Sequence, residues 1–295
     1  MGSGSKTFVA RNTTQALAHA KALREGDTLY LLGAIDLTGA IQRGDGITVP
    51  PGATLAGIDG ATIICEKAPP DGRCHAPVVA LADAVVRGLT IIGPNGEEAV
   101  DGPLAWGVGL NGPRATIMDC RLSGWSVSAV AVTGNADQAV IRRCWIRDCR
   151  KSGHGYGVQV DAGEVLIADC DFDRMRRPIA CTGRAGRSYT AVGNRIGPTR
   201  SLDAFDVHAD PVSGEFAGEW FRITRNRIEG TNWGMHIGAV PRQPELCAFA
   251  WNNMPELSDP KAVVRQAAGK RMVLGKNWLG GKLSTITATA PEARP

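Results

Sequence analysis

The chain has 295 residues, 43% of them hydrophobic, 21% charged and only 5% aromatic, with a net charge of +4 and a pI near 8.7. That length admits two domains or one large repetitive domain, and no stretch approaches the run of about 18 apolar residues that spans a membrane. The basic balance arises without a long Lys/Arg run, which argues against a nucleic-acid partner, and 37 glycines spread along the chain indicate many tight turns rather than a few long helices.

In chain order, Met1–Ser5 (Met-Gly-Ser-Gly-Ser) reads as a cloning remnant that can replace a signal peptide, so the compartment stays open. Residues 13–23 carry apolar residues at helical spacing behind Thr13, an expected N-cap, and predict a short amphipathic helix. Glu25-Gly26-Asp27-Thr28 is then a turn before the apolar strand 29–32. Irregular early strands are expected at 47–55 and 84–92. Gly107, Gly109 and Gly112 satisfy a GxGxxG pattern, but Pro113 and a strand follow, so no helix N-terminus is there to hold a pyrophosphate.

From residue 117 a short pattern recurs: an apolar residue, two variable ones, Cys or Asn, one variable residue and another apolar one. Its Cys/Asn positions are Cys120, Cys144, Cys170, Asn194, Asn226, Asn252 and Asn277, at intervals of 24, 26, 24, 32, 26 and 25 residues. Such a period, made of short alternating strands and turn residues, marks a solenoid whose units bury one face only by stacking on a neighbour. The leucine-rich-repeat pattern and a helix within each unit are both missing. The expected fold is therefore all-β, a right-handed parallel β-helix solenoid of about eight or nine coils, with a short N-terminal capping helix. Asn or Cys would take the same inward corner in every coil, asparagine amides bonding along the axis.

Residues 6–282 are expected to form this single domain, with 6–50 as N-terminal cap and first coil and 255–272 as a C-terminal cap or insertion. Residues 283–295, rich in Thr, Ala and Pro, are expected to be a mobile tail. The eight cysteines lack paired CxxC spacing for zinc; three fall on the repeat, so most are read as reduced and buried, which favours a cytoplasmic setting.

The strand after each Cys/Asn corner can be laid against its neighbours: 129–133, 157–161, 178–182, 204–208 and 234–238. With Val130, Val158, Ile179, Phe205 and Met235 facing in, one outward column is Ala131, Gln159, Ala180, Asp206 and His236. A second is Thr133, Asp161, Thr182, His208 and Gly238. Asp206 and His208, two apart, should stand outside together with His236 beside them. This composes an acid/base site of Asp206, His208, His236 and Asp161, because neighbouring carboxylates hold an imidazole in one tautomer. The alternative is that outward residues of a solvated sheet are simply polar.

Gln159 and the polar, glycine-rich loops that carry His154, Tyr156, Arg184 and Tyr189 suit substrate binding, as does Asp210 in the insertion after His208. Arg177, with Arg176, Arg184, Arg187 and Arg242, suits an anionic substrate, although each can equally be solubilising charge. Asp-x-His with a second His also has the composition of a metal site, but the pattern is weak; neither metal nor cofactor is expected.

The order of capping helix, Gly26-Asp27-Thr28 and apolar strand resembles the N-terminal cap of pectate-lyase-like β-helix proteins. Phe205-Asp206-Val207-His208 resembles the Tyr-Gly-Phe-Asp-Pro-His motif of mannuronan C5-epimerases. That likeness implies that Asp206 helps bind or neutralise a uronate carboxylate and that His208 acts as base or acid at C5. Asp203-Ala204 stands in place of Tyr-Gly and Val207 in place of Pro, so the tyrosine acid has no direct counterpart; Tyr156 or Tyr189 would substitute.

The leading expectation is thus a β-helix enzyme, lyase or epimerase, that moves protons on a carbohydrate or small anionic sugar. Other readings are a carboxylate-pair glycoside hydrolase using Asp161 and Asp206, a biosynthetic isomerase or cyclase, and a non-catalytic carbohydrate-binding β-helix.

Overall fold

The computed structural model describes residues 4–67, 76–94, 104–181, 185–208, 218–230, 232–238, 244–266 and 272–286. The chain winds into a β-solenoid of about 8 turns. A nine-stranded parallel sheet runs from Ile47–Val49 through Val78–Ala80, Trp106–Leu110, Ser128–Val132, Tyr156–Val160, Arg177–Cys181, Phe205–Val207 and Met235–Ile237 to Val264–Gln266. Two further rows of parallel strands make the other faces. Both include the long strand Thr54–Ile64, which joins them into one sheet of 20 strands.

The Cys/Asn residue sits at the corner between those two rows. Asn194, Asn226 and Asn252 each donate both their backbone N–H and their side-chain Nδ2 to the Oδ1 of the next asparagine, at 2.8–3.1 Å. Cys170 joins the ladder through its backbone N–H, 2.9 Å from Asn194 Oδ1. The corner is sharp because the residue before it is left-handed in coil after coil: Asp119, Arg143, Asp169, Arg225 and Trp251 have φ of 50–60°, a conformation that is costly for non-glycine residues and is held here by the ladder. The seven described cysteines are buried, and Cys65, Cys120, Cys144, Cys149, Cys170 and Cys247 form no disulfide.

Inward residues of the three faces meet in one core that includes Val158, Ile179, Phe172, Phe205, Met235 and Phe249. Each large side chain sealed there contributes roughly 1.5–3 kcal/mol relative to exposure. The helix Thr13–Ala22 covers the N-terminal end. Its N-cap is Asn12, whose side chain accepts from Gln15 N, rather than Thr13, which instead donates its hydroxyl to Asp36 O.

At the other end the expected cap or insertion is a single turn of 3₁₀ helix, Pro260–Ala262, started by Asp259. The β-branched run that follows continues the nine-stranded sheet as Val264–Gln266. The expected tail begins as a strand, Lys282–Thr285, folded back antiparallel on Lys276–Leu279; residues 287–295 lie outside the described residues. No helix among the described residues is long and apolar enough to cross a membrane.

Candidate functional site

The register of the nine-stranded sheet is the expected one: Ala131, Gln159, Ala180, Asp206 and His236 are successive partners, and the row extends from Thr48 to Arg265. One feature of these strands was not legible from alternation. The two residues ahead of each row member both turn inward, so the residue three before it returns to the outer face. A Cβ on Gly157 would meet Phe172 and Met175, and one on Gly234 would meet Phe249 and Met254. Small residues, Gly157, Ala204 and Gly234 among them, therefore precede Val158, Phe205 and Met235. The outcome is a third outward row, Trp106, Ser128, Tyr156 and Arg177, with Asp203 in the corresponding place before Asp206.

That row brings Arg177 and Asp203 to Asp206. The Asp206 carboxylate, fully buried, has Arg177 Nη1 at 2.7 Å and His208 Nδ1 at 2.5 Å on one oxygen, and His236 Nδ1 at 2.9 Å on the other. The His208 contact is short but poorly directed, leaving Asp206 Oδ2 and His208 Nδ1 outside hydrogen-bond geometry. Burial is the largest influence on the carboxyl and would raise its pKa. The contacts of His208 and His236 and the charges of His208 and Arg177 together outweigh it and hold the group well below the usual carboxylate range.

Asp206 was expected to stand outside; it keeps the outer face but is covered by its three partners. Both imidazoles turn Nδ1 toward it, so each presents Nε2 away from the carboxylate. Gly238, the next residue of His208's row, leaves His208 room: a Cβ there would lie 3.0 Å from the His208 Cβ.

Asp203 is the member of this cluster that the sequence did not single out. It is buried, with its carboxylate 4.0 Å from both Arg177 Nη2 and His236 Nδ1. Burial pushes its pKa up, and the Asp206 charge adds to that, while His236 and Arg177 oppose it. Its signal in the sequence was the three-residue step that also relates Trp106 to Gly109 and Tyr156 to Gln159. The turn before it is stapled to the next coil. The buried Arg200 guanidinium donates to the carbonyls of Gly197, Glu229 and Asn232, and Asn232 Nδ2 returns a bond of 2.8 Å to Arg200 O. Burial lowers the Arg200 pKa to about 10.

The other expected residues divide. Gln159 Nε2 donates to Asp161 Oδ2 at 2.7 Å, and Arg187 Nη1 lies 3.6 Å from Asp161 Oδ1. This second cluster is two strands from Asp206, about 10 Å at the usual strand spacing. Tyr156 lies beside Arg177 in the third row, its hydroxyl 3.4 Å from Gly153 O. The half-buried His154 stands in the turn ahead of it; burial, then the charges of Lys151 and Arg176, lower its pKa. Tyr189 does not reach this face. It pairs with Phe221 on another sheet face and is wholly enclosed in the core, its ring 4.8 Å from the Phe221 ring; the apolar position of an alternating strand took it inside. Arg184 and Asp210, like Thr182 and Arg242, lie outside the described residues.

Among the described residues, Asp203, Asp206 and His236 offer ligand atoms within 4.8 Å of one another. Arg177 already supplies the positive charge that a cation would bring to Asp206, and the oxygens of Asp206 are occupied. The arrangement fits an imidazole-orienting carboxylate.

No family model and no curated protein matches the sequence. Among solved structures, an alginate lyase from Paenibacillus sp. str. FPU-7 superposes with a TM-score of 0.68 at 11% identity, over 97% of this chain and 99% of that one. The pectate lyase Pel9A superposes with a TM-score of 0.62 at 10% identity, over 96% and 82%. At such identities the likeness concerns the path of the backbone, and in fold the chain is a pectate-lyase-like parallel β-helix.

Proposed function

We propose that the chain is a carbohydrate-active enzyme that moves a proton on an acidic sugar unit, with a lyase or epimerase outcome. The observation that carries this reading is a single buried, ionised carboxylate, Asp206, holding two imidazoles by Nδ1 on one face of the sheet. His208 then takes the proton next to the sugar carboxylate through Nε2, and His236 serves as the acid. Asp203 lies 4.0 Å from His236 Nδ1 as a second carboxyl group beside the acid, with its pKa raised while that of Asp206 is lowered. Two neighbouring carboxyl groups with divergent pKa values are the usual sign of divided acid and base roles. Arg177, 13% exposed at its side chain, supplies the nearby positive charge for a sugar carboxylate. In a lyase the abstracted proton's electrons form a C4–C5 double bond as the C4–O4 bond breaks and O4 is protonated; in an epimerase a proton returns to C5 from the opposite side.

The alginate and pectate lyases that share the fold make acidic polysaccharides the first substrates to test. The hydrolase alternative has less support, because Asp206 is fully buried behind three partners and shielded from the water it would have to activate. Incubation with alginate and with polygalacturonate in deuterated buffer should give unsaturated chain ends or deuterium at C5, read by absorbance and NMR. His208→Gln should lower that rate by a factor of about 10²–10⁴. Undiminished turnover in His208→Gln would reject the mechanism.

A further inference from the structure

A cleft opens on the same sheet toward the N-terminus, with a volume of about 250 Å³, and its lining includes Val79, Trp106, Gly109, Asn111, Ala131 and Thr133. Val79, Gly109 and Ala131 belong to the row that continues as Gln159, Ala180 and Asp206. Ala131 stands three strands from Asp206, about 14 Å at the usual spacing. A pyranose unit advances by about the spacing of one coil, so a chain laid along the row would reach both places.

The chemistry of the two places differs. The catalytic cluster is ionic throughout, whereas the cleft has no charged side chain among its described lining residues. Thr133 Oγ1 donates to Asn111 Oδ1 at 2.7 Å, which fixes an uncharged amide in the cleft lining. The Trp106 indole N–H is buried without a partner, as is the hydroxyl of Ser128, its neighbour in the third row. An indole face with uncharged hydrogen-bonding groups, above a floor of Gly109 and Ala131, suits the apolar face and hydroxyls of a sugar. A carboxylate entering it would lose hydration without meeting a counter-charge.

We infer that this cleft is a subsite for an uncharged sugar unit, and that the substrate is a heteropolysaccharide bearing acidic and neutral units rather than a uniform polyuronate. The inference rests on the carbohydrate reading above and adds the composition of the chain. It is tested by calorimetric titration of the whole protein with neutral cello-, xylo-, malto- and manno-oligosaccharides and with oligomannuronate and oligogalacturonate. At least one neutral series should bind, and Trp106→Ala and Gly109→Leu should each weaken it by about tenfold or more. Gly109 has no positive φ, and a Cβ there meets nothing closer than 3.3 Å, so the leucine fills the cleft on an unstrained backbone. His208→Gln should bind the neutral sugar as the native protein does, which separates this subsite from the proton-transfer site: failure of the latter shows in turnover and not in this titration. Binding by the polyuronates alone, binding by none of the series, or neutral binding that both cleft variants leave intact would overturn the inference.

Discussion

Replacing Asp206 by Asn keeps the shape of the side chain and removes the charge that three neighbours share. Arg177 and the Nδ1 atoms of His208 and His236, all within 2.9 Å of the carboxylate, are then left facing a neutral amide, one end of which is itself a donor. Removing one partner of a buried ion pair costs about 3–5 kcal/mol, and Asp206 is fully buried, so little of this is screened. Misorienting the base should cost turnover on the order of 10³–10⁴, the scale seen when asparagine replaces the orienting aspartate of a catalytic triad. Urea denaturation of the native protein and Asp206→Asn gives the first quantity, and initial rates on the best acidic polysaccharide give the second.

The pH dependence carries its own sign. Asp206 is held below its unfolded value of about 3.9, so its contribution is fully present above that value and is lost as pH falls through the lower, folded one. Native stability should therefore drop below about pH 4 by more than that of the variant. Adding Arg177→Met to Asp206→Asn should recover part of the stability but none of the turnover. If Asp206→Asn unfolds and turns over like the native protein, the shared-carboxylate account is wrong.

Two other substitutions test the scaffold. Tyr189→Phe removes a hydroxyl that is buried without a partner, so turnover should be unchanged and stability equal or higher by up to about 1 kcal/mol; a fall in rate would return this tyrosine to the chemistry. Asn226→Ala strips the ladder of the acceptor for Asn194 N and Nδ2 and of the donor to Asn252 Oδ1. Unpaired buried groups cost about 1–3 kcal/mol each, so a loss of about 2–4 kcal/mol is expected in urea. Asn226→Cys, which restores the residue type of Cys170, should lose less.

The stacking of Asp206 on His236 was determined by sequence alone, because two periodicities suffice for it. The Cys/Asn interval sets which strands are neighbours, and alternation from Phe205 and Met235 inward sets which side chains share a face. Both are local properties repeated along the chain, so a count recovers them. Alternation failed where the strand departs from it: inward turns at adjacent positions such as Ala204 and Phe205 return Asp203 and Arg177 to the outer face, and only packing against Phe172, Met175 and Phe249 requires that.

Tyr189 was misplaced for a related reason. A tyrosine beside polar loop residues reads as a binding group until its strand is assigned to a face and its ring is found against Phe221. The burial of Asp206, and with it the change from a carboxylate open to substrate to one that orients two imidazoles, was decided by tertiary structure alone. Its covering groups come from three successive strands, and the desolvation, hydrogen bonds and charges that set its protonation exist only once those strands have stacked.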